Sequence, residues 1–219
     1  MYKNFKINGE NRIYQSLKEK EAGCTEEKWE IGDSSGISYR KYVDNIKGKM
    51  EHIDIYTAEK IPGQPMTLRI RLVDENNDFL SLELPLLDYA QEWLSDWVVS
   101  AASVLANLNK GDDVEIFTNR KAVDKSGRLY KSIYFKANGA MTQLLFKFTD
   151  CPRWLVTEEV HKVTKKVIKH INKEAHDEFI MGFINKAVDK FKSPIEASVE
   201  KLEEELPIEL QDDDDDLPF

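Results

Sequence analysis

Disulfide chemistry has little to work with here: the only two cysteines, Cys24 and Cys151, lie far apart and form neither a CxxC pair nor a framework. Two reduced thiols are the expectation. No apolar run approaches the roughly 18 residues that a membrane-spanning helix needs. The opening Met1-Tyr2-Lys3-Asn4-Phe5-Lys6 is followed by no apolar stretch of the kind a secretory signal carries. These absences point to a cytoplasmic protein.

Metal and nucleotide motifs are missing as well. The four histidines, His52, His161, His170 and His176, include no pair at i, i+3 or i, i+4 spacing, and no cysteine lies close to them in sequence. That argues against a zinc site. There is no G-x-x-x-x-G-K-[ST] loop, no G-x-S-x-G elbow and no H-E-x-x-H pair. Asp54 and Glu83 fall on separate expected strands, and two scattered carboxylates do not make a metal-dependent nuclease. The expectation is a non-enzyme without cofactor or metal.

What is present is a core, a strong charge asymmetry and a strand pattern. Apolar residues make up 41% of 219, enough for one domain with appendages. The net charge of −9 is uneven. Residues 195–219 hold eleven acids and one base, a charge of −10, which leaves 30 bases and 29 acids, or +1, on residues 1–194. The acidity therefore belongs to the C-terminal end, and the body is free to carry basic patches.

Residues 1–38 read as an N-terminal extension packed on the main domain, with a short helix near Ile13 and Leu17 and a loop at Gly32 to Gly36. A β-prone run covers about 39–58, interrupted by Gly48. Met66, Leu68, Ile70 and Leu72 alternate with Thr67, Arg69, Arg71 and Val73, a period of two. Asn76-Asn77-Asp78 turns the chain, and Leu80, Leu82 and Leu84 share the next strand's face, so the two runs predict a hairpin. Helical spacing marks about 88–108, with Asp88 as N-cap and Gly111 beyond the end. Val114 to Thr118 and Leu129 to Phe135 alternate again.

Three strands, a helix and two strands is the order of the oligonucleotide-binding (OB) barrel, a five-stranded Greek-key barrel. The predicted fold is thus mainly β, an OB domain over 39–156 with its helix between strands 3 and 4. A helical region over 157–194 would pack on it, with an acidic linker and tail over 195–219. Val160, Val163, Val167 and Ile171, then Phe179, Phe183 and Ala187, carry the helical spacing, and Gly182 is a possible break between two helices.

Parity picks a basic-aromatic face. If Ile116, Ile133 and Phe135 point inward, Phe117, Tyr130, Tyr134 and Lys136 point outward, and Arg69, Arg71 and Phe79 fall outside on the hairpin. Arg120, Lys121, Lys125, Arg128 and Lys131 add charge between residues 120 and 136, against the single acid Asp124. Bases stack on such rings regardless of sequence, and cations track phosphates. The same pattern also arises where surface tyrosines pack against an appended element. Tyr39, Arg40 and Lys41 are further candidates, as are Arg153 and Trp154.

The chain ends in Asp212-Asp213-Asp214-Asp215-Asp216-Leu217-Pro218-Phe219. A solubilising acidic tail needs no aromatic end. Here one residue carries both a ring and a free carboxylate, which suits an apolar pocket with a basic lip. At these eight residues the sequence resembles the tip of bacterial single-stranded DNA-binding proteins, an aspartate run closing in Ile-Pro-Phe, with Leu217 at the isoleucine position. The body lacks that family's Gly- and Gln-rich linker and resembles a divergent, phage-type member.

The resemblance implies sequence-independent coating of single strands and recruitment of replication, recombination and repair proteins through the tip, in a bacterium or a phage-infected host cell. Two other readings stay open. One is a DNA-processing enzyme, such as a nuclease or annealing factor, that carries the same tail. The other is a decoy that imitates the tail to capture host repair proteins.

Overall fold

The computed structural model describes residues 1–31, 34–57, 66–88, 92–120, 131–160 and 167–192. It is mainly β. Strands run over Tyr2–Ile7 (β1), Ile13–Leu17 (β2), Thr25–Ile31 (β3), Ser34–Val43 (β4), Asn45–Tyr56 (β5), Thr67–Val73 (β6) and Phe79–Pro85 (β7). Helix α1 (Asp96–Leu105) precedes Asp113–Thr118 (β8), Ile133–Ala137 (β9) and Ala140–Met141 (β10). A hairpin of Leu155–Val160 (β11) and Val167–Asn172 (β12) leads into α2 (Glu174–Phe191). Ten strands form one mixed sheet in the order β10-β9-β8-β5-β6-β7-β1-β2-β4-β3.

Within it, β5, β6 and β7 are joined as hairpins, and after α1 the chain returns to lay β8 beside β5. The spatial order β8-β5-β6-β7 is a Greek key. The expected hairpin and its parity hold. Leu68, Ile70, Leu72, Leu80, Leu82 and Leu84 are buried, as are Val114, Ile116, Ile133 and Phe135.

The five-stranded barrel does not close. Among the described residues no ladder joins β7 to β9; the free edge of β7 is taken instead by β1, in parallel, with Phe5 beside Leu82. The N-terminal segment is therefore part of the sheet rather than an appendage. Phe5, Ile7 and Ile13 sit in the same core as the Greek key. Ile13 to Leu17, expected as a helix, is β2: Ile13 has full burial and pairs with both Ile7 and Val43. Tertiary pairing overrides a short local pattern here.

The sheet is open yet rolled. Flat, β1 and β8 would lie four strand spacings apart, about 20 Å at 4.8 Å each. Asn11, in the turn between β1 and β2, nevertheless donates to the carbonyls of Asn119 (2.9 Å) and Ser132 (3.2 Å), just past β8 and before β9. Its Oδ1 accepts from Trp97 Nε1 at 2.9 Å, and its carbonyl accepts from Thr118 Oγ1 at 2.5 Å. One buried side chain thus joins the β1–β2 turn, α1 and the ends of β8 and β9.

Three further expectations are corrected. The β-prone run over 39–58 breaks at Asp44, not at Gly48, which lies inside β5. Helix α1 is shorter than 88–108 and is capped by Ser95, whose hydroxyl accepts from the Val98 amide and donates to the Pro85 carbonyl. Of the stretch expected as the first helix, the described residues 157–160 and 167–172 are strand. Thr157, Val160, Val167, Ile168 and Ile171 are β-branched, and such side chains favour strands over helix. Among the described residues of this region, the helix is Glu174–Phe191. It runs unbroken through Gly182 and buries Ile180, Ile184, Ala187 and Phe191 on the core.

Gly48 marks the point where β5 leaves β8 and joins β6, next to a bulge between Met50 and His52. A Cβ there would sit 2.6 Å from the Val73 carbonyl oxygen and 2.9 Å from its carbon. Backbone atoms cannot step aside cheaply. Gly48→Ala is expected to destabilise the chain by about 1–3 kcal/mol. Gly9→Ala, with open space at its Cβ, is expected to be near neutral. Urea melts of the two variants check this, and equal midpoints would refute it.

Candidate nucleic-acid interface

The outer face of β5, β8 and β9 carries the clearest constellation. Phe117 and Tyr134 are directly opposed across the β8–β9 ladder, and their rings stack at 5.6 Å between centroids and 19° between planes. They sit there because Ile116, Ile133 and Phe135 point into the core, which turns their neighbours outward. Lys136 Nζ lies 5.2 Å from the Phe117 ring centroid. Among the described residues no ring besides Phe117, and no cation, lies over Tyr134.

Glu115 organises the cations beside the rings. Its carboxylate accepts from Asn45 Nδ2 (2.7 Å) and Lys136 Nζ (3.2 Å) and lies 3.4 Å from Lys47 Nζ. The hydrogen bond from Lys136, with Lys47 adding to it, holds this carboxyl below the ordinary 4.5. A depressed folded value means that its contribution to stability is present above about pH 4.5 and is lost as acid protonates it. A cleft of about 880 Å³ opens beside these groups, between the β6–β7 turn and β5. Its lining includes Asn45, Lys47, Lys49, Glu115, Lys136 and Lys3.

Arg69 and Arg71 also face outward, but elsewhere. Both point at Asp54: Arg69 is bidentate at 2.8 and 2.5 Å, and Arg71 reaches it at 3.2 Å. Arg69 also lies over the Tyr56 ring at 4.3 Å. In the ladder Arg69 is opposite Asp54, whereas Phe117 is opposite Asn45 at the other end of β5. Nine residues of strand separate the two, about 30 Å before any bend. The expected face is thus two patches. Phe79 stands apart from both, half exposed beside Tyr2 in the β1–β7 register.

The remaining candidates divide further. Arg120 pairs with Asp44 at 2.6 Å, and Lys131 lies 4.8 Å above the Trp97 ring. Lys121, Lys125, Arg128 and Tyr130 lie outside the described residues, as does the whole tail from Asp212 to Phe219. Trp154 meets His176 edge-on at 6.0 Å and Lys173 at 4.4 Å, away from the sheet's outer face.

One cluster was found only in part from the sequence, which named Arg40 but not Arg12, Tyr14 or Tyr42. Arg12 lies 3.6 Å over Tyr42, and Arg40 lies 4.4 Å over Tyr14. The two tyrosines are register partners in the β2–β4 ladder, with centroids 6.0 Å apart. The signal was there: Arg12-Ile13-Tyr14 and Arg40-Lys41-Tyr42 share one spacing. A period of two puts each Arg on the face of its own Tyr, and antiparallel pairing sets it diagonally over the other's ring. Tyr14 is buried and Arg40 is paired to Glu27, so this ladder braces the sheet next to Arg120 rather than offering open rings.

Among the described residues no group of three or more His, Cys, Asp or Glu is placed to hold a metal, and no helix is long and apolar enough to cross a membrane. Comparison with protein-family models, with curated proteins and with solved structures returns no match to this chain.

Proposed function

We propose that this chain binds single-stranded DNA without reading its sequence, protects it during replication, recombination and repair, and recruits partner proteins through its C-terminal tip. The observation that supports the first part is the outward pair Phe117–Tyr134 with Lys136 and Lys47 beside it. A half-buried ring with a free outer face, bordered by cations, is what a base and its phosphate require. The Greek key with a helix between its third and fourth strands supports it further. On this reading the unit is an opened relative of the OB barrel, in which β1 holds the edge that closure would use. The second part rests on the resemblance of Asp212 to Phe219 to the bacterial tip.

The test is an oligonucleotide titration. Single strands are expected to outcompete duplex, with little base preference, and log affinity is expected to fall with log salt at about −0.7 per neutralised phosphate. Equal affinity for duplex would sink the proposal. Magnesium-dependent cleavage of the strand would favour the processing enzyme, and partner binding without DNA binding would favour the decoy.

Two predictions follow from charge. Glu115→Gln removes a carboxylate that engages Lys47 and Lys136. At roughly 1 kcal/mol for a charge pair at 4 Å in water, affinity is expected to rise up to about fivefold at low salt, and the gain should shrink as salt screens it. A weakened variant would show that Glu115 positions these lysines rather than competing for them.

Deleting 212–219 removes five aspartates. DNA affinity is then expected to stay or rise while partner capture is lost. A several-fold fall in DNA affinity would rule out competition between tail and strand.

A further inference from the structure

All twelve described residues of β11 and β12 are exposed, and half of them are aliphatic. Two-stranded hairpins are marginal in water unless something covers a face. The register sorts the side chains. Val156 opposes Ile171, Glu158 opposes Lys169, and Val160 opposes Val167, all on one face. The other face carries Leu155, Thr157, Glu159, Ile168, His170 and Asn172 and is mostly polar. The first face is thus two aliphatic pairs around a single ion pair, Glu158–Lys169 at 3.0 Å. The hairpin's base is held to the body through Trp154, which meets His176 and Lys173.

We propose that this face joins two copies of the chain, hairpin against hairpin, about a two-fold axis that runs along the hairpin. The pattern decides the occupant and the axis. Rotation about the long axis exchanges β11 with β12, so Val156 of one copy covers Ile171 of the other, and Val160 covers Val167. Each Glu158 then meets the other copy's Lys169, which gives a square of alternating charge. Rotation about the axis across the strands would instead set Glu158 on Glu158. The face is therefore self-complementary in one arrangement only, as a two-fold contact demands. A patch this small makes a weak dimer, with a dissociation constant on the order of 10–100 μM.

Sedimentation velocity of the full chain across that concentration range tests this. The chain is expected to pass from monomer to dimer. Glu158→Lys alone and Lys169→Glu alone are each expected to weaken self-association about tenfold or more, because like charges then meet across the axis. An equimolar mixture of those two variants is expected to recover a heterodimer. The chain carrying both exchanges keeps its own ion pair and is expected to dimerise like the unaltered chain. A chain that stays monomeric throughout would overturn the proposal. So would single variants that dimerise as well as the unaltered chain, or a mixture that stays apart while the doubly exchanged chain associates. None of these outcomes bears on DNA binding, so this contact and the proposed function fail separately.

Discussion

Phe117→Ala combined with Tyr134→Ala is expected to weaken single-strand binding roughly 30-fold or more. Base–aromatic stacking contributes about 1–3 kcal/mol per ring, and 1.4 kcal/mol is a factor of ten. Phe117 backs Tyr134 in a near-parallel stack, and on the proposed function the outer face of Tyr134 is the one that takes a base. The mechanism also predicts what does not change. Neither ring is charged, so the slope of log affinity against log salt should stay as it is. Lys136→Gln is the complement, with a smaller loss and a slope shallower by about 0.7. Both rings are half-buried and stacked on each other, so the variant is expected to lose about 2 kcal/mol of stability as well, and affinity is compared well below its melting temperature. Less than a twofold change in affinity would show that the strand runs elsewhere, with the Arg69–Arg71 patch as the next place to look.

The parity that put Phe117 and Tyr134 on one face was readable because it is local. Ile116 and Ile133 are buried whatever the remote topology, so their neighbours must turn outward. Arg69 and Arg71 were assigned the right side for the same reason. Their company was not readable, since Asp54 reaches them only through the β5–β6 register. The pairing of β1 with β7 spans more than seventy residues and leaves no local trace beyond Phe5 and Ile7. Residues 157–172 misled for a physical reason. Val160, Val163, Val167 and Ile171 do step at three or four, yet Val156, Glu158 and Val160 also step at two, and β-branching favours the second pattern. Barrel closure was inferred from element order alone, and order does not say which strand occupies the edge of β7.

Asn11→Ala is expected to cost about 3–5 kcal/mol of stability, a large part of the 5–15 kcal/mol that a domain has in total. Three partners lose their bond to this buried side chain: the buried indole N–H of Trp97 and the part-buried carbonyls of Asn119 and Ser132. Leaving a buried polar group unsatisfied costs about 1–3 kcal/mol, less where it finds another partner. The backbone adds to this. Asn11 has φ +58°, a left-handed conformation that asparagine tolerates better than alanine. Asn11→Gly separates the two effects: it loses the same bonds but accepts the backbone, so it should be about 1 kcal/mol less damaging than alanine. For a chain of this size the alanine variant should melt about 6–20 °C lower. DNA affinity should fall too, even where the variant is folded. Asn11 holds the segments just past Phe117 and just before Tyr134, and without it the β1–β2 turn no longer ties the ends of β8 and β9 together. Equal melting of the alanine variant and the unaltered chain would show that the sheet stays rolled without this side chain.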